Sequence, residues 1–82
     1  MTIQVITPPE IVKILNSEIN TGKYEPIGLF MAEEYDGSWT AVDNSGGNAW
    51  TENFRSKEIA RRWLLDELDT ETAYELDERS CT

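Results

Sequence analysis

The chain of 82 residues contains no histidine, so the usual neutral-pH general base and the commonest metal ligand are both missing. No serine–histidine–acid or cysteine–histidine arrangement can be assembled. The single cysteine, Cys81, follows a run of acids. A reactive thiolate needs an electropositive pocket, so Cys81 is not expected to act as a nucleophile. One cysteine also excludes an internal disulfide and every multi-cysteine zinc motif.

Asp43-Asn44-Ser45-Gly46-Gly47-Asn48 has the oxygen side chains and glycines of a calcium loop. The spacing fails, because Asn48 stands where the loop needs glycine and Phe54 where it needs a bidentate glutamate. Turn formation accounts for every residue in it. The glycine pair is no phosphate cradle, since no Gly-Lys-Ser/Thr follows. Glu33 and Glu34 are neighbours on an expected strand and point to opposite faces. Glu34 and Glu52 share a face but are expected in solvent, which does not make a hydrolytic carboxylate pair. The expectation is a protein without catalytic residues, metal or cofactor.

Binding chemistry remains. Residues 1–65 hold nine acids and six bases, whereas residues 66–82 hold seven acids and one base, so two thirds of the net charge of −9 sits in the last segment. On a continuous helix Glu67, Glu71, Glu75 and Glu78 would fall on one stripe, with an axial rise of about 6 Å at each four-residue step. Like charges so placed repel by a few tenths of a kcal/mol per pair. A row of carboxylates at such intervals imitates a nucleic-acid backbone. Such acidity disfavours direct nucleic-acid or membrane binding and favours a basic or nucleic-acid-binding protein as partner; solubility alone is the plainer explanation. Arg55, Arg61 and Arg62 could grip a phosphate, but Glu58 and Asp66 are expected to balance them.

The elements that position these groups can be read from their punctuation. Thr7-Pro8-Pro9-Glu10 is a helix start with cap, first-turn proline and capping-box acid. Ile11, Ile14, Leu15 and Ile19 follow at helical spacing with Val12 beside them, and Gly22 terminates the helix. Ile27–Tyr35, Ser38–Asp43 and Asn48–Phe54 read as strands joined at Asp36-Gly37 and Asn44–Gly47. Ser56 caps a second helix whose inner face is Ile59, Ala60, Trp63, Leu64 and Leu68. Met1–Ile6 reads equally as strand or lead-in. The predicted fold is α+β, a three-stranded antiparallel meander flanked by an N-terminal and a C-terminal helix (α-β-β-β-α). Residues 1–68 form the domain, and 69–82 an acidic helix or tail. No stretch approaches a membrane span or a secretory leader, which predicts a cytoplasmic protein.

If Asp36-Gly37 is a two-residue loop, Met31 faces Val42; if Ser45-Gly46 centres the next turn, Ala41 faces Trp50. One sheet face then carries Phe30, Ala32, Glu34, Trp39, Ala41, Asp43, Trp50, Glu52 and Phe54. The other carries Leu29, Met31, Glu33, Thr40, Val42, Ala49, Thr51 and Asn53. With the aliphatic face as core, Trp39 and Trp50 form an open aromatic platform ringed by Glu34, Asp43 and Glu52, a composition suited to a binding hot spot. A one-residue slip inverts the assignment and buries the tryptophans.

Over residues 39–68 the string WTAVDNSGGNAWTENFRSKEIARRWLLDEL resembles a recurring pattern in short uncharacterised proteins of Gram-positive bacteria and their phages. The resemblance covers about a third of the chain, carries no catalytic residue, and implies a small cytoplasmic protein encoded by a phage or mobile element. The acidic end is not part of that pattern, so nucleic-acid mimicry rests on charge alone. The leading expectation is a non-enzymatic protein-binding module, such as an inhibitor occupying a nucleic-acid-binding site. The alternatives are an assembly subunit docking through its aromatic face and a small-ligand-binding domain.

Overall fold

The computed structural model describes residues 2–80. Its elements are β1 (Ile3–Val5), α1 (Pro8–Thr21), β2 (Gly28–Glu33), β3 (Trp39–Asn44), β4 (Trp50–Phe54), α2 (Lys57–Leu64) and α3 (Thr70–Ser80). Cys81 lies outside the described residues. Among those residues no helix is long and apolar enough to cross a membrane.

α1 starts where its residues dictate. The Thr7 backbone N–H and hydroxyl both donate to Glu10 Oε1, at 3.1 and 2.9 Å. Gly22 closes the helix in the left-handed region at φ 78°, its N–H donating to the Glu18 carbonyl. Ile11 and Ile14 are buried, but Ile19, expected on the same stripe, is 82% exposed. Eight residues on, a helix has turned about 80° past its starting direction, which carries Ile19 off the inner face.

The α+β class holds, but the sheet is larger than the predicted meander. β1 joins it as a fourth strand, parallel to β2 with Ile3 opposite Leu29 and Val5 opposite Met31. Parallel neighbours need a crossover, and α1 is that crossover. The result is a mixed sheet in the order β1-β2-β3-β4 with three helices.

The first hairpin corrects the predicted register. The chain turns over three residues, Tyr35-Asp36-Gly37, and Glu34 N–H bonds the Ser38 carbonyl at 2.8 Å. Gly37 takes φ 87°, where a side chain would be strained. The extra loop residue sets Met31 opposite Ala41, not Val42, and flips β2 relative to β3. In the second hairpin Ala41 opposes Glu52 rather than Trp50. That shift is two residues, so β3 and β4 keep their predicted faces.

Both faces are consequently core. Ile11 and Ile14 of α1 pack on Phe30, Ala32, Val42 and Ala49. On the other face Leu29, Met31, Ala41 and Phe54 meet Ile59, Ala60, Trp63 and Leu64 of α2, with Ala73 of α3. The expectation of one aliphatic core face and one open aromatic face fails because helices lie on both sides of the sheet.

The second helix also stops short. Ser56 Oγ accepts the Ile59 N–H at 3.3 Å to start α2, and the chain breaks after Leu64. Glu67 N–H reaches the Arg62 carbonyl at 2.9 Å and Asp66 N–H the Trp63 carbonyl at 3.2 Å. This is a Schellman closure with Asp66, at φ 61°, in the left-handed place glycine normally fills. Asp69 restarts the chain as α3, its Oδ1 accepting the Thr72 N–H at 2.7 Å.

α3 belongs to the fold. Ala73 is fully buried, and Tyr74 packs its ring 4.9 Å from Phe54. Asp77, only 5% exposed, accepts the backbone N–H groups of Arg55 and Ser56 at 2.8 and 2.9 Å. A carboxylate thus sits on the positive end of α2. Asp77→Ala strands two donors next to the core and is expected to lower stability by about 2 kcal/mol. Urea unfolding of the variant at neutral pH measures this loss.

Candidate partner-binding site

Trp50 opens β4, an edge strand of the sheet, opposite Asp43. Its ring stands edge-on to Trp63 at 5.7 Å and 87°. Trp63 is buried in the core, while Trp50 stays 55% exposed. Both indole N–H groups are engaged: Trp50 Nε1 donates to Glu52 Oε2 at 2.7 Å, and Trp63 Nε1 to Thr70 Oγ1 at 3.0 Å. Glu52 also accepts the Tyr74 hydroxyl. Burial, followed by that bond to Glu52, holds the Tyr74 phenol above its usual pKa and keeps it a donor.

Between the two indoles and the α2–α3 loop lies a cleft of about 190 Å³, bordered by Asp43, Asp66 and Asp69. Asp43 and Asp66 also border a second recess of about 230 Å³, with Leu29, Leu64 and Leu65 in its wall. The two hollows share these acids as a common rim. Asp43 Oδ1 takes the Ser45 N–H and hydroxyl, at 3.1 and 2.6 Å, which fixes that carboxylate at the end of β3. Among the described residues Asp43, Asp66 and Asp69 stand in no ion pair. Nor do any three potential ligands among those residues lie close enough together to hold a metal ion.

No known protein family, characterised protein or solved structure matches this chain. The site itself therefore carries the functional reading.

The residues singled out in the sequence are not one surface. Trp39 opposes Phe54 and Trp50 opposes Asp43, which separates the two indoles by four ladder positions, about 13 Å. Trp39 is half-buried, with Lys57 Nζ 5.1 Å from its ring centre. Glu34 has gone to the opposite end and face, where it accepts the Thr40 hydroxyl at 2.6 Å. Asp43 and Glu52 do accompany Trp50. Glu67 leaves the predicted acidic stripe because the helix breaks before it; it pairs with Arg62 at 3.5 Å. Glu71, Glu75 and Glu78 remain together and exposed on α3, Glu75 paired with Arg79 at 2.9 Å.

The arginines are accounted for locally. Arg61 Nε donates to Glu58 Oε2 at 3.1 Å, Arg62 meets Glu67, and Arg55 has partners of its own. A larger cavity of about 660 Å³ lies between the end of α1 and the Gly46–Asn48 turn. Glu18 raises the pKa of Tyr24 there, but the walls bring together no nucleophile and base.

Asp66 breaks two local preferences. It occupies a left-handed position that favours glycine, and it puts negative charge at the negative end of α2. Asp66→Gly is expected to stabilise the fold by about 1 kcal/mol, readable as a higher urea midpoint.

Acid should destabilise the fold. The Thr72 N–H, then its hydroxyl, holds Asp69 below the ordinary 3.8; the Ser38 hydroxyl does the same for Asp36. The Arg61 guanidinium holds Glu58 below 4.5. Depressed carboxylates stabilise the fold above their ordinary values, and that contribution drains away as pH falls through the folded ones. The urea midpoint should therefore drop below about pH 4. In Asp69→Asn, which retains a capping oxygen without the titration, the drop should be shallower.

Proposed function

We propose that this protein is a non-enzymatic binding module that docks on a basic protein through β4, the α2–α3 loop and the outer face of α3. The observation supporting this reading is the placement of acid: Glu71, Glu75 and Glu78 line the exposed side of α3, next to a loop carrying Asp66, Glu67 and Asp69. The chain's own arginines are matched by local partners. A surface of one sign speeds encounter with the opposite sign and fixes orientation. Proteins that bind nucleic acid present basic surfaces, so on charge alone the reading is an inhibitor of one of them, acting in the cytoplasm. The test is displacement of a labelled DNA duplex from candidate DNA-binding proteins. Displacement should weaken at least about tenfold between 50 and 300 mM salt, and it should disappear when Glu71, Glu75 and Glu78 are changed to lysine. Displacement indifferent to salt would overturn the proposal.

An assembly role through an aromatic contact is the second reading, favoured by the exposure of Trp50. Salt separates the two: binding that is lost in Trp50→Ala yet unchanged between 50 and 300 mM salt belongs to the aromatic contact, because only the acid-led contact weakens as ionic strength rises.

A further inference from the structure

We infer that the cleft between Trp50, Trp63 and the α2–α3 loop receives an arginine side chain of the partner. This rests on the proposed reading of a basic protein partner and names the residue it inserts and the place that takes it.

The chemistry of the walls selects the occupant. Both indole N–H groups are already bonded inside the protein, and the exposed Trp50 ring offers π surface rather than a donor. An exposed indole face attracts a cation, and attracts it more strongly as water is excluded. The rim supplies the counter-charge: Asp43 from the end of β3, Asp66 from the helix break and Asp69 from the start of α3. The acids are too dispersed for a metal ion. A guanidinium suits them better than an ammonium, because its planar fork of five donors reaches separated carboxylates while its face lies on a ring, and it is less strongly hydrated. The second recess shares Asp43 and Asp66, and of its three leucines only Leu65 is exposed, so the acids there extend the counter-charge rather than offer an apolar seat.

The test is a titration of the full-length ¹⁵N-labelled protein with the blocked peptide Gly-Leu-Arg-Leu-Gly and with versions carrying lysine or citrulline at the centre. The arginine peptide should give saturable shifts at the Trp50 indole N–H and the Asp66 and Asp69 amides. It should bind at least about fivefold tighter than the lysine peptide, and the citrulline peptide should not bind. Trp50→Ala and Asp66→Gly should each weaken binding about fivefold or more, the latter while raising the urea midpoint. Equal binding of the citrulline or lysine peptide overturns the assignment. So do Trp50 shifts that follow protein dilution without peptide, which would give the cleft to a second copy. If protamine shifts only Glu71, Glu75 and Glu78, the acidic helix remains a docking surface and the arginine cleft falls. If protamine shifts nothing, the basic-partner reading falls with it.

Discussion

Replacing Trp63 with alanine is expected to remove about 3–5 kcal/mol of folding free energy. Trp63 joins α2 to everything around it. Its ring lies 5.8 Å from Phe54 and 5.7 Å from Trp50, and its N–H reaches Thr70 at the start of α3. Alanine would leave a void under two aromatic rings and release the Thr70 hydroxyl. A domain of this size has a total stability of about 4–12 kcal/mol, so the variant should be partly unfolded at physiological temperature. Trp63→Phe should recover most of the packing and keep only the lost hydrogen bond, about 1 kcal/mol. Thermal and urea unfolding of the two variants side by side separate ring volume from hydrogen bonding. A Trp63→Ala protein as stable as the parent would contradict the packing described for α2.

Asn44→Ala is expected to cost about 3 kcal/mol. Asn44 is fully buried at the end of β3, and its side-chain amide bonds to main chain in two other segments. Its Nδ2 donates to the carbonyls of Tyr24 and Pro26 at 3.0 and 2.7 Å, and its Oδ1 accepts the Ala49 N–H at 3.0 Å. One amide therefore ties the α1–β2 connector to the β3–β4 turn. Alanine leaves two carbonyls and one N–H without this partner. Asn44→Asp tests the polarity of the arrangement: the carboxylate can still accept from Ala49 but cannot donate to the two carbonyls. It should be nearly as destabilising as alanine, and hydrogen exchange at the Ala49 amide should stay slower in the Asn44→Asp variant than in Asn44→Ala.

Both ends of α1 and the start of α2 were legible in the sequence because caps are local. Thr7, Glu10, Gly22 and Ser56 all act where their residue types placed them. The strand positions were legible for a similar reason, since each is bounded by turn residues. What stayed hidden was non-local. Whether Asp36-Gly37 turns over two residues or three is a difference of one peptide, yet it inverts β2 against β3. β1 spans three residues, too few for a period, and is recognisable only once β2 lies beside it. The acidic stripe failed at Glu67 because nothing around Asp66 announces a helix end: the expected glycine is absent. Of the candidate site, Trp50, Asp43 and Glu52 were found through their shared strand face. Asp66, Asp69 and Trp63 join them by helix packing, which strand alternation does not reveal.

The contact of Asp77 with the beginning of α2 means that the carboxyl-terminal segment is not a detachable charged appendage. Stopping translation at residue 69 would strip the acidic face, but it would also uncover Phe54 and leave the Arg55 and Ser56 amides without their acceptor. A truncated chain that no longer binds would therefore say little about charge. Only surface substitutions on an intact α3 can tell loss of attraction from collapse of the scaffold that displays it.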